Sequence, residues 1–117
     1  MIRIIGSDKQ EISIEKEKLE LSTVFRDLFQ CCKNTEEVDV QCSANEFVQY
    51  LGLYGLCYDL LKVKSDYKLC DFVVQNVKYF EKHEETFNEF LDFFDFEFCE
   101  RIADVILVRI LVEKDHL

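Results

Sequence analysis

The sequence predicts an α+β fold, a small sheet accompanied by a larger share of helix. Three observations carry this. Ile2 and Ile4 alternate with Arg3, and Ile12 and Ile14 with Ser13, the period-2 pattern of half-buried strands. Ser22 stands just before the apolar positions Val24, Phe25, Leu28 and Phe29, where a helix N-cap belongs. Phe87, Phe90, Leu91 and Phe94 recur at the spacing of one helix face, with Glu and Asp opposite.

Each element follows in order. The two N-terminal strands are joined by a tight polar turn at Ser7-Asp8-Lys9, and the Ser22 helix follows. Cys31 to Glu37 forms a polar, acidic loop, and Val38-Asp39-Val40 alternates as a third short strand. Ser43-Ala44-Asn45-Glu46 fits a capping box, with Ser at the cap and Glu three residues on. The run from Phe47 to Leu56 is apolar nearly all round, which predicts a central, buried helix. Gly52 and Gly55 lie within it, either admitting a neighbouring helix or ending this one early.

Lys62 to Lys68 is polar and is expected to be a loop. Cys70 to Phe80 is open: Phe72, Val73, Val74 and Val77 favour a strand by propensity, whereas Val73, Val77 and Phe80 fit a helix face. The Phe87 helix is expected to be capped by Thr86 or Glu84 and to break near Asp95 to Phe98. A last helix turns Ile102, Val105, Ile106 and Ile110 inward, and the tail from Glu113 to His116 is expected to fray.

Composition narrows the function classes. At 117 residues the chain is expected to be one domain, residues 1–117, with 49% hydrophobic residues and 11 Phe to fill a core. The net charge of −10 argues against nucleic acid and against an anionic membrane surface, both of which want Lys and Arg. It also keeps a Phe-rich protein soluble. The six cysteines lack Cys-x-x-Cys spacing, and Cys31-Cys32 is a vicinal pair that rarely closes on itself. They are expected to be buried, reduced thiols rather than a metal site or a disulfide framework, which suits a reducing compartment. The chain enters a strand directly, without a signal-peptide pattern, and no apolar run is long enough for a membrane span. Proline is absent, which removes one cue for placing loops.

No catalytic constellation is visible. Gly6, Gly52 and Gly55 form no phosphate loop, and a Cys nucleophile would have only His83 as a base, in the charged stretch Glu81 to Glu85. The expectation is a non-enzyme with no cofactor and no metal. The Phe cluster at 87, 90, 93, 94, 96 and 98 is richer than one buried stripe requires. Either it is all core, or Phe93, Phe96 or Phe98 lies on an exposed patch that binds a partner.

The stretch Ile2-Arg3-Ile4-Ile5-Gly6-Ser7-Asp8, then Ile12-Ser13-Ile14, then the Ser22 helix with Leu28-Phe29, resembles the start of the S-phase-kinase-associated adaptor of SCF ubiquitin ligases and its relative elongin C. Asn34 to Glu37, Val38 to Val40, Ser43, Asp71-Phe72-Val73-Val74, Tyr79-Phe80 and Glu85-Thr86-Phe87 match later family segments in the same order. The resemblance implies a BTB/POZ-like fold, with a small three-stranded sheet packed against about five helices. It implies a non-enzymatic adaptor, cytoplasmic and nuclear, that links a cullin to an F-box or BC-box substrate receptor. The alternative within the fold is a BTB/POZ homodimerisation or protein-interaction module, dimeric when alone. The implied partner-binding residues are Phe93, Asp95, Phe96, Phe98, Ile102 and Ile106. In the ungapped register Asp95 and Phe96 fall on the family's Asn-Tyr pair near the cullin contact; a small shift sets Phe94-Asp95-Phe96 on its Leu-Asp-Ile. The length is closer to elongin C than to the longer SCF adaptor. Lys9 stands where the family turn has Gly, so that turn needs another geometry or a strained one.

Overall fold

The structure is a computed structural model that describes residues 1–63 and 66–115. It is α+β, with three strands and six helices among the described residues. The chain forms two compact units: Met1–Gly52 with Phe94–Glu97, and Leu53–Phe93 with Phe98 onward.

The first unit is built on the predicted hairpin. β1 (Ile2–Ile5) pairs antiparallel with β2 (Glu11–Ile14), placing Ile2 opposite Ile14 and Ile4 opposite Ile12. Alternation then buries Ile2, Ile4 and Ile14 on one face. β3 (Glu37–Asp39) lies parallel to β1, with Ile4 opposite Val38, so the strand order is β2-β1-β3. A short helix that the pattern did not announce, α1 (Lys16–Leu19), buries Leu19. α2 (Thr23–Cys31) starts as predicted: the Ser22 side chain accepts a hydrogen bond from the Phe25 N–H at 3.3 Å. The Ser43 cap also forms, its hydroxyl accepting from the Glu46 N–H at 3.1 Å and donating to the Glu46 carboxylate at 3.2 Å.

The Lys9 turn resolves into the strained geometry. Lys9 sits at φ 67°, in the left-handed region, while its N–H donates to Gly6 O at 3.0 Å to close the turn. That conformation costs a residue bearing a Cβ roughly 1 kcal/mol. Lys9→Gly removes the strain but loosens the unfolded chain, which offsets about 0.4–1 kcal/mol of it, so a net gain of at most about 0.6 kcal/mol is expected, seen as a rise of no more than about 3 °C in Tm by circular dichroism.

α3 (Ala44–Lys62) departs from expectation in two ways. It is longer, taking in the start of the expected 62–68 loop, and it is buried along one stripe rather than all round. Phe47, Tyr50, Tyr54, Cys57 and Leu61 face inward, whereas Leu56 is 53% exposed. The glycines neither end the helix nor admit a neighbour: a Cβ at Gly52 or Gly55 would meet nothing within 4 Å. Gly52→Ala and Gly55→Ala should therefore each stabilise by up to about 1 kcal/mol, a gain that urea titration would read as a higher midpoint at constant m.

In the second unit the open stretch is helical. α4 (Asp66–Gln75) buries Leu69 and Val73 and packs on α6 (Cys99–Asp115). Asp66 to Lys68 of the expected loop belong to α4, and Lys64 and Ser65 lie outside the described residues. Asn76 divides α4 from α5 (Val77–Phe94), its side-chain N–H donating to Phe72 O at 2.9 Å. Thr86 and Glu84 are not caps, since α5 is already under way; the Thr86 hydroxyl donates to His83 O at 3.1 Å. Phe87, Phe90, Leu91 and Phe94 are buried as the periodicity predicts, and so are Ile102, Ile106 and Ile110 on α6. Val105 is half-buried. α6 runs through Asp115, and His116 lies outside the described residues.

Candidate functional site

The segment after α5 decides where the implied partner-binding residues lie. Four residues, Asp95 to Phe98, separate α5 from α6, and two of them take left-handed backbone: Asp95 at φ 49° and Phe98 at φ 64°. Asp tolerates that region; for Phe it is a costly exception.

Phe94 to Glu97 is clasped to the start of α2 within the first unit. Ser22 and Phe96 form an isolated antiparallel bridge. The Ser22 hydroxyl, wholly buried, donates to the Phe94 carbonyl while accepting from Phe25, so one side chain both caps a helix and holds the clasp. The Thr23 N–H donates to Asp95 O at 3.1 Å, and the Thr23 hydroxyl to the Asp95 carboxylate at 2.5 Å. The Glu97 N–H donates to Leu21 O at 3.3 Å, and its carboxylate pairs with Arg26 at 2.8 Å. Behind the clasp lies an aromatic cluster. Phe25 stacks on Phe94 at 5.1 Å, Phe47 meets Phe94 edge-on at 5.5 Å, and Phe96 closes on Phe94 at 6.2 Å.

This corrects the implied site residue by residue. Phe96 is 2% exposed and belongs to the core, not to a surface patch. Ile102 and Ile106 are likewise fully buried, because they form the inward stripe of α6, so neither presents a surface side chain. Asp95 is exposed, but its carboxylate is engaged by Thr23. Phe93 and Phe98 remain at the surface, 60% and 47% exposed, with the Phe98 ring against Tyr58 at 5.7 Å.

The sequence reading missed a second apolar face on α6. Leu107, Val108 and Leu111 are about half exposed and lie on the side away from Ile102, Ile106 and Ile110. The signal was present in Val105 to Val112, a run apolar at every position but Arg109 and too broad for one buried stripe. Exposed acidic side chains at Glu85, Glu89 and Asp92 line the outer side of α5 and lead to Phe93.

The cysteines are less uniformly buried than expected. Only Cys57 is buried, and burial pushes its thiol up to about 12; Cys42 is raised by partial burial and by Glu46. Among the described residues, no group of three or more His, Cys, Asp or Glu gathers as metal ligands, and no helix is long and apolar enough to cross a membrane. His83 is half-buried against Tyr79, with ring centroids 4.4 Å apart. Compared with known family models, curated proteins and solved structures, the chain finds no match.

Proposed function

We propose that this chain is a non-enzymatic adaptor of BTB/POZ type that links a cullin scaffold to an F-box or BC-box substrate receptor. The observation that carries the reading is the order of elements in the first unit. The hairpin, the Ser22-capped helix, the third strand and the Ser43-capped helix follow one another in the order the resemblance implies. The left-handed Lys9 supports it further, since the backbone there holds a glycine-type turn despite the substitution. Phe93 and Phe98 are the contact residues of this reading, because they alone of the implied set offer an exposed apolar side chain.

Binding to a cullin N-terminal domain and to F-box and BC-box peptides, measured by interferometry, tests the proposal. Phe93→Asp and Phe98→Asn should each weaken cullin binding at least about tenfold, the size of a modest interface hot spot, with the melting curve preserved. Failure of the wild-type chain to bind any of the three would sink the adaptor reading. A dimer in light scattering, without such binding, would favour the homodimerisation module instead.

A further inference from the structure

The six thiols divide sharply by accessibility. Cys57 is buried, Cys42, Cys70 and Cys99 are half-buried, and the two exposed thiols, Cys31 and Cys32, are adjacent in the chain. Cys31 is the last residue of α2 and Cys32 is its C-cap. The backbone that carries them is held on both sides. The Cys32 N–H closes the final helical turn on Leu28 O at 2.8 Å. The Cys32 carbonyl accepts from the Thr35 N–H at 3.1 Å and from the Thr35 hydroxyl at 2.7 Å. Two exposed cysteines thus occupy consecutive positions on an anchored turn.

We propose that Cys31 and Cys32 form a bidentate dithiol site for a soft, thiophilic metal or metalloid ion. Neighbouring Cα atoms across a trans peptide are about 3.8 Å apart, less than the roughly 4.4–6.8 Å that an unstrained disulfide spans. A direct S–S bond between the pair is therefore disfavoured. A single large atom bonded to both sulfurs spreads them apart and closes a wider ring that a trans peptide accommodates. Thiolate sulfur selects soft ions over the hard cations that oxygen ligands prefer. None of the other four cysteines offers such a pair at the surface, which confines the site to the end of α2.

Phenylarsine oxide is the probe. In its hydrated form trivalent arsenic carries two hydroxyl groups. Each As–O bond is replaced by an As–S bond, each thiol proton leaves with a hydroxyl as water, and arsenic stays trivalent throughout. The reduced full-length chain, titrated with the probe and read by intact mass, should take up one phenylarsine per chain. That adduct should survive excess 2-mercaptoethanol and be removed by 2,3-dimercaptopropanol, because only a second dithiol competes with a chelate. Cys31→Ser and Cys32→Ser should each lose the retained adduct, whereas Cys70→Ser keeps it, all with wild-type circular dichroism. The proposal is overturned by a wild-type chain that takes up no probe, by an adduct that the monothiol strips, or by one that persists in either serine variant. Binding to cullin or receptor peptides has no part in the readout, so this test stands apart from the adaptor reading.

Discussion

Phe96→Lys is expected to unfold the protein, or to lower its Tm by at least about 15 °C. Phe96 is 2% exposed, its backbone bridges Ser22, and its ring lies 6.2 Å from Phe94 in the aromatic cluster. Truncating a buried Phe costs about 3–5 kcal/mol through lost transfer energy and the cavity left behind. The lysine adds a second cost: its ammonium must either be buried without a carboxylate partner or drag the chain out of the clasp to reach water. Both terms together approach the whole stability of a small protein, about 5–15 kcal/mol. Phe93→Lys supplies the contrast. It makes the same chemical change at a residue 60% exposed, and should alter stability by no more than about 0.5 kcal/mol. Thermal melts of both variants settle the matter. A Phe96→Lys chain that melts with the wild type would place Phe96 at the surface and return it to the contact set.

The same residue marks where sequence reading stops. A strand announces itself by alternation, so Ile2, Ile4 and Ile14 could be assigned to a buried face from sequence alone. A cap announces itself by residue type and spacing, and Ser22 and Ser43 both cap where they were expected. Phe96 has no period to read, because it lies between helices. Its burial comes from a bridge to Ser22, far away in sequence, and such long-range pairing leaves no local trace. The parallel pairing of β3 with β1 was illegible for the same reason.

Cys70 to Phe80 failed differently. Local propensity there favours strand at Phe72, Val73 and Val74, but β-propensity largely reports burial on a pleated surface. Leu69 and Val73, four residues apart, are both fully buried, and packing α4 on α6 outweighs the preference of the intervening residues. α3 was read as buried all round because composition counts apolar residues without saying which of them meet a neighbour; Leu56 does not. In the implied site, Phe93 and Phe98 could be nominated by the Phe excess, but the excess could not say which rings were surplus. The clasp of Phe94 to Glu97 makes that choice.

Gly6→Ala is expected to destabilise by about 3 kcal/mol, lowering Tm by roughly 10–15 °C with the urea m-value unchanged. Gly6 is buried where the hairpin turn meets the start of α3. Its N–H donates to Gln10 O at 2.9 Å, and the next residue, Ser7, donates to Cys42 O at 2.9 Å. The turn is therefore fixed both to its own strand and to the residue preceding the Ser43 cap. A Cβ at Gly6 would lie 2.3 Å from Ala44 N, 2.5 Å from the Asp8 carboxylate and 2.9 Å from the Ser43 carbonyl carbon. The carboxylate could rotate away, but it would then give up the Gln10 N–H, to which it is bonded at 3.2 Å. Backbone at Ser43 and Ala44 can yield only by moving the first turn of α3, with its Ser43–Glu46 cap and the buried Ala44 and Phe47 behind it. Gly55→Ala adds the same methyl group in the open and is expected to shift stability the other way. Opposite signs from one chemical change would locate the cost in the contact with α3. A Gly6→Ala chain as stable as the wild type would mean that the hairpin turn and the start of α3 do not meet this closely, and would remove the packing that holds the sheet to the Ser43-capped helix.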